Sequence, residues 1–467
     1  MRFEGLIMNV VDLIVKNDYC IGCGVCAGIC PSNNLRMDWS NKGELIPKLN
    51  DSCRDSCSIC LDVCPFNNHP INQDDIAESL YANIPHMRYN EYAGYFLNCY
   101  VGFHKDEEKR IKSASGGLAS LFLASLLEEK IVDKIICVGN FGNNDRMFDF
   151  GILNDSNEVY SCAGSAYYPV EISRVLKEII KEKEELTYAV IALPCVVYAL
   201  RLAMEKIPKL KKKIKIIASL TCGQLQNRYC TELLALESGI KVNELKKMDY
   251  RRKTEKNLAS NFLQVAIGEN KKEGGPQPYQ ELPFFLWHYH FFKQNACNYC
   301  DDVFGELADV TFMDAWLPEY VKDYKGTSLV ISRTPLTTKI LKKFQYTSTI
   351  DVEKLLKSQS GVIQKKRTLV KGRLYKSTFS NLFFPKKRVL PDKKIYDKNK
   401  EFIELTFEIQ KLSKKKWIKY RFNNSTDEFW NDLTNINSRI KKYTKEGKVR
   451  SLLKTPKLLF KRLSGMI

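Results

Sequence analysis

Apolar residues recur at helical spacing from Gly116 to Lys130 (GGLASLFLASLLEEK), which predicts an amphipathic helix. Asp133 to Gly139 (DKIICVG) is a short apolar run, as a buried strand requires. Glu171 to Glu185 predicts a second amphipathic helix. Tyr188 to Cys195 (YAVIALPC) and Ile214 to Cys222 (IKIIASLTC) predict two more buried strands. Alternating helices and strands predict an α/β domain with a largely parallel sheet. Such sheets bind ligands at the carboxyl ends of their strands. The longest apolar run, Ala189 to Leu200, is broken by Pro194 and is shorter than the roughly 18 residues a membrane span needs. The opening segment, MRFEGLIMNVVDLIVKND, carries Glu4 and Asp12 and no small-residue cleavage site, so no signal peptide is expected.

The 467 residues are 44% hydrophobic and 27% charged, ordinary globular proportions that exclude a wholly disordered, collagenous or coiled-coil chain. Charge changes the picture more. Residues 361 to 467 hold 29 basic against 9 acidic residues, whereas residues 1 to 360 hold 44 against 45. A composition boundary therefore falls near 360. Lys365-Lys366-Arg367, Lys386-Lys387-Arg388 and Lys414-Lys415-Lys416 would attract anionic surfaces. A solvated helical appendage explains such a tail. Contact with a membrane surface also would, because KVRSLLKTPKLLFKRLSGMI alternates Leu and Phe with Lys and Arg. No nucleic-acid reader motif is present. With the connector that contains Pro70 and Pro85, the chain divides into residues 1–85, 86–360 and a basic, partly helical tail, 361–467.

Sixteen cysteines in a chain without a signal peptide read as metal ligands in a reducing cytoplasm, or at the inner face of its membrane. Cys20, Cys23, Cys26 and Cys30 form a C-x2-C-x2-C-x3-C-P run. Cys53, Cys57, Cys60 and Cys64 repeat it with one extra residue after Cys53. Such runs hold cubane iron–sulfur clusters, and the fourth cysteine of each reaches the other cluster. One [4Fe-4S] cluster is thus assigned to Cys20, Cys23, Cys26 and Cys64, the other to Cys53, Cys57, Cys60 and Cys30. Structural zinc would use two cysteine pairs without the fixed following proline. Residues 14 to 70 closely resemble two-cluster bacterial ferredoxins, which implies an α+β ferredoxin-like module.

Farther on, Cys195 and Cys222 lie at predicted strand ends, and Cys297-Asn298-Tyr299-Cys300 supplies a C-x-x-C pair. Ligand type and count suggest a third [4Fe-4S] cluster on these four. Cys99, Cys137, Cys162 and Cys230 read as packing residues. Ser113 to Gly117 (SASGG), before a helix, offers free N–H groups to an anion such as a flavin pyrophosphate, or simply caps the helix. Lys325-Gly326-Thr327-Ser328 could touch phosphate or simply turn the chain, and Arg251 and Arg252 could pair with phosphate or lie on a wet surface. His288 and His290 are exposed positions or a proton source near a flavin.

Taken in order, these features are similar to the beta subunits of coenzyme F(420) hydrogenases and dehydrogenases. The carriers are Ser-x-Ser-Gly-Gly before a helix, Pro194-Cys195, Cys222-Gly223, C-x-x-C and Glu306-Leu307-Ala308-Asp309-x4-Asp314-x-Trp316. The resemblance covers residues 14 to 340. It implies FAD together with iron–sulfur clusters, with Ser115, Gly116 and Gly117 at the flavin. It places Cys195, Cys222, Cys297 and Cys300 at or near a cluster and has Asp309 and Asp314 shape the same site. The chain departs from the family pattern at Ala192-Leu193-Pro194-Cys195, at Cys222-Gly223 without histidine, and at Met313-Asp314. Relatives with such changes occur beside polysaccharide genes. The implied protein is an iron–sulfur flavoprotein oxidoreductase, passing electrons through FAD to a deazaflavin-like coenzyme or an organic substrate. The alternative is a non-catalytic electron-transfer subunit. Either one needs a redox donor or acceptor protein as partner.

Overall fold

The computed structural model describes residues 8–51, 53, 57–142, 145–281, 286–380 and 382–453. In the front module, β1 (Leu35–Trp39) pairs antiparallel with β2 (Leu45–Leu49). Two single-turn helices, Val25–Gly28 and Ile59–Asp62, lie within the two cysteine runs. Gly24 precedes the first at φ +77°, a left-handed conformation that glycine adopts without strain. The module docks directly on the rest of the chain. Ile172 N–H donates to the Cys23 carbonyl at 3.0 Å, and Val25, Ala27 and Phe66 share one core with Leu176, Val197 and Ile217.

A small hairpin follows, β3 (Arg88–Asn90) with β4 (Gly94–Phe96). The chain then lays down β5 (Asn98–Gly102), β6 (Lys134–Gly139), β7 (Asp149–Leu153), β8 (Tyr188–Ala192) and β9 (Ile214–Leu220). A separate antiparallel sheet is made from β10 (Lys247–Arg252), β11 (Leu263–Ile267) and β12 (Gln277–Pro278). The chain returns with β13 (Val310–Asp314), β14 (Ser328–Ser332) and β15 (Thr347–Thr349). The main sheet runs β15-β5-β14-β13-β9-β8-β6-β7. Its centre, β13-β9-β8-β6, is parallel. Antiparallel pairings extend it on both sides.

Both faces of the centre are covered, which is why its strands read as continuous apolar runs. Ile135, Ala189 and Ile216 face Leu118, Phe122 and Leu126 of the helix Leu118–Glu128. Ile136, Val190 and Ile217 face the opposite core, with Val175 and Leu176 of the helix Ser173–Lys181. The predicted strand to Cys195 stops earlier, at Ala192. Pro194 opens a helix, Pro194–Lys206, because its fixed φ suits a first helical position. Cys195 thereby moves from a strand end into a helix's first turn.

The carboxyl-terminal region is helical: Leu369–Ser377, Lys393–Tyr420, Asp427–Asp432 and Thr434–Leu453. Its basic runs do not simply coat a solvated surface. Val370 and Leu374 enter the core shared by the front module and the sheet. Leu405, Ile409 and Trp417 pack with Leu233 and Phe292. Arg388 and Arg367 reach buried Glu306, at 2.7 Å and 2.6 Å. Lys414 reaches buried Glu44. Among the described residues no helix is long and apolar enough to cross a membrane. The Leu- and Lys-rich end considered for membrane contact lies, from residue 454 on, outside the described residues.

Candidate iron–sulfur and cofactor site

The first front quartet surrounds one space. Cys20, Cys23, Cys26 and Cys64 together line a small cavity closed by Val10, Ile21, Pro47 and Val63. Burial pushes the Cys23 thiol up to about 11 and the Cys64 thiol up to about 12. Burial raises Cys26 too, and Cys23, Cys20, Cys64 and Cys60 push the same way. The second quartet sits alongside. Burial raises Cys53, with Cys30 and Cys57 adding to it. It also raises Cys60, which accepts from Val10 N–H at 3.4 Å and feels Cys53 and Cys57. Cys64 thus lines the cavity of the first run's cysteines, and Cys30 stands near Cys53 of the second run. Thiols raised in this way ionise readily near neutrality when a cation shares them, which is what thiolate ligation to a metal centre supplies. Among the described residues no three His, Cys, Asp or Glu side chains are gathered as a single bound ion requires.

The third quartet is assembled from three separate parts of the chain. Cys195 lies in the first turn of Pro194–Lys206, where the helix dipole favours negative charge. Cys222 follows β9 by two residues. Cys297 is in the turn Asn295–Asn298, and Cys300 lies just beyond it. Burial raises Cys195, followed by Cys300, Cys222, Cys297 and, next, Cys23 of the first quartet. The four thus stand together, beside a front quartet. Burial pushes Cys222 up to about 12. Leu225 N–H donates to Cys297 Sγ at 3.3 Å, and Lys366 Nζ donates to Cys300 Sγ at 3.2 Å.

Beyond it opens a cavity of about 1240 Å³, with Cys23, Cys195 and Cys222 in its wall. The carboxyl ends of β6, β8, β9 and β13 all reach it, through Gly139, Ala192, Leu220 and Asp314. That is the edge where parallel sheets bind ligands. Ser115 and Gly117 line it. The Ser115 hydroxyl donates to the Thr327 carbonyl at 2.9 Å, so it ties two turns together. Gly116 is the wedge between them: a Cβ there would lie 2.6 Å from Ser328 N and 2.7 Å from the Gly102 carbonyl.

Several expectations are corrected. Arg251 lines the cavity, with its guanidinium already engaged in a two-pronged pair with Asp314 at 2.9 and 2.8 Å. Arg252 is held by Asp249 and Glu273. Asp314 reaches the cavity wall but Asp309 does not. Asp309 accepts from Ile217 N–H at 2.7 Å and from Arg201 at 3.0 Å, which locks β13 to β9 and to the helix Pro194–Lys206. His288 lines the cavity, whereas His290, expected to be exposed, is completely buried. Cys137, Cys162 and Cys230 reach the cavity wall, and Cys99 is confined to the core. The hydrogen bond from Cys137 lowers Cys162 to about 7.

Sequence reasoning missed Lys253. Its Nζ donates to the carbonyls of Arg110, Ser115 and Lys325 at 2.5 to 2.6 Å. It clamps both turns from the cavity side, and burial lowers it to about 7. No local motif marks such a residue, because its partners are backbone atoms far away in the chain. Lys366 was visible only as part of a charge run.

The family model described as coenzyme F(420) hydrogenase/dehydrogenase, beta subunit N-term, matches residues 99–177, and its C-terminus counterpart matches residues 186–358. A 4Fe-4S dicluster domain matches residues 19–68. An uncharacterised protein of Methanocaldococcus jannaschii is 23% identical over 390 residues, 79% of this chain and 99% of that protein. The coenzyme F(420) hydrogenase subunit beta of Methanothermobacter thermautotrophicus is 25% identical over 251 residues, 51% of this chain and 77% of that protein. A chain in the xenon-derivatised F(420)-reducing [NiFe] hydrogenase complex of Methanosarcina barkeri aligns with a TM-score of 0.48 and 19% identity, covering 65% of this chain and 99% of that one. The chain therefore belongs to the coenzyme F(420) hydrogenase/dehydrogenase beta subunit family, with a 4Fe-4S dicluster domain at its front.

Proposed function

We propose that the protein is an iron–sulfur flavoprotein oxidoreductase with three [4Fe-4S] clusters and one FAD. Residues 1–85 form the two-cluster module, 86–360 hold the third cluster and flavin, and the described helices after 360, from Leu369 to Tyr420, brace both. One observation carries the reading: three cysteine quartets stand side by side, and the last opens on a cavity at the ligand-binding edge of a parallel sheet. Clusters move electrons singly, and a flavin exchanges single electrons for pairs.

The chain's own residues do the rest. Cys20, Cys23, Cys26 and Cys64, then Cys30, Cys53, Cys57 and Cys60, then Cys195, Cys222, Cys297 and Cys300 are the ligands. Ser115, Gly116 and Gly117, clamped by Lys253, shape the turn that receives a pyrophosphate. Asp314 fixes Arg251 at the cavity wall, and Tyr167 and Trp287, 5.0 Å apart, offer flat apolar surface. The two-electron acceptor is a deazaflavin-like coenzyme or an organic substrate. The polysaccharide-precursor form of that substrate is supported by the departures at Ala192, Gly223 and Met313 alone.

A second reading, an electron-transfer subunit whose partner performs the chemistry, is favoured by the relative named as a hydrogenase subunit. A redox protein is a partner in both readings. Membrane contact through the basic segment is supported by charge alone. Anaerobic purification with iron, sulfide and flavin quantitation tests the proposal. About twelve irons and one flavin per chain support it, four irons belonging to each cubane. Iron without flavin would leave the carrier reading.

A further inference from the structure

Buried cations elsewhere among the described residues either are capped by backbone carbonyls, as Arg333 and Lys213 are, or meet a carboxylate. Arg388, Arg367 and Lys414 each meet a carboxylate. Lys366, Lys293 and Arg373 are 3%, 2% and 1% exposed. Neither they nor partly buried Lys365 make an ion pair with any described Asp or Glu. Lys366 Nζ instead donates to Cys300 Sγ at 3.2 Å and to the Asp302 carbonyl at 2.7 Å. The Arg373 Nε and Nη2 atoms lack hydrogen-bond partners, as do both ring nitrogens of fully buried His290. These groups feel one another: Lys293, Lys365 and Arg373 all act on His290, and Lys293 and Lys366 act on Cys297.

Burying several like charges without a counter-charge is strongly unfavourable. The missing negative charge is the kind a four-thiolate cluster carries. The front quartets have more carboxylates about them, with Glu44 acting on Cys20, Glu171 on Cys23 and Asp12 on Cys53, against Lys387 acting on Cys64. Nearby cations and N–H···S bonds favour the reduced, more negative state of a cluster, and nearby carboxylates disfavour it.

We infer that Lys366, Lys293, Lys365 and Arg373 form a counter-charge shell that holds the centre on Cys195, Cys222, Cys297 and Cys300 at a higher reduction potential than the two front clusters. This rests on the third cluster of the proposed function. It makes these four positioning residues, acting through the cluster. It also gives the relay a direction, from the front module toward the cavity.

The test is a redox titration of anaerobically purified full-length protein, followed by electron paramagnetic resonance, with iron counted in every sample. Cys300→Ser identifies the third cluster's signal by removing it. In the wild type that signal should appear at the highest potential. Lys366→Met should keep the iron and move that signal alone to lower potential, and Lys366→Arg should restore it. Should Lys366→Met lose iron, Lys293→Met carries the same comparison, through its action on Cys297. An unmoved signal at full iron content overturns the shell, as does a third cluster reduced only after the front pair. About eight irons in the wild type would instead remove the third cluster itself, and the shell with it.

Discussion

Arg388 shows what one side chain decides in this molecule. It grips Glu306 with two nitrogens, both at 2.7 Å, and also reaches Asp74 at 2.6 Å and Asp301 at 3.5 Å. Arg388→Met strands buried carboxylates and should cost about 3–5 kcal/mol, read as a lowered urea midpoint. Burial pushes the Glu306 carboxyl up, but Arg388 and Arg367 more than offset this and hold it below the usual range. A depressed folded value means the contribution is full above the unfolded value, near 4.5, and fades as pH falls through the folded one. The difference between wild type and variant should therefore be constant near neutrality and shrink in acid. Among the proposed ligands, Cys300→Ser should lower iron from about twelve to about eight per chain and leave the front module's signals intact. The front quartets were legible because four close thiols in one loop are a local pattern. The third quartet was legible only as an inventory of residue types.

At the scale of elements, pattern reading succeeded where burial is two-sided and was less exact at the ends. The strand at Tyr188 was readable from its apolar run. Its end was not, because Pro194 extends an apolar stretch and yet starts a helix. The glycine turn before Leu118–Glu128 was visible, but its role as a wedge was not. Gly116 lies against the backbone of β14 and β5, which the sequence keeps far apart. Gly116→Ala pushes a methyl into that backbone, which cannot move aside as a side chain would. Its flavin content should fall to a small fraction of wild type while its iron content holds, measured on the same anaerobic preparation. Loss of iron as well would show that the turn supports the whole fold.

Across the whole molecule, the segment after residue 360 is where charge counting misled most. Twenty-nine basic residues against nine acidic ones suggest a surface for anions. Yet Lys366 touches Cys300, and Lys387 donates to the Pro65 carbonyl at 3.1 Å beside Cys64. Trp417 is fully buried, with its indole N–H on Glu232 at 3.0 Å. Truncation after residue 360 should therefore not release a stable core. It should yield protein that aggregates or holds well under half the wild-type iron, measured after anaerobic expression of both chains. A truncated chain with full iron content would show the segment to be a dispensable appendage.

The two front cysteine runs, the helix–strand alternation and the family resemblance could be read without the fold, because each is written in neighbouring residues. Spacing within a loop and apolar periodicity along an element need no knowledge of distant chain. Tertiary structure alone decided which cations face inward, that Asp309 braces β13 while Asp314 faces the cavity, and that Lys253 clamps two remote turns. Those outcomes depend on which segments meet in space. A charge or hydroxyl reads the same in sequence whether it ends in water or against a buried thiolate.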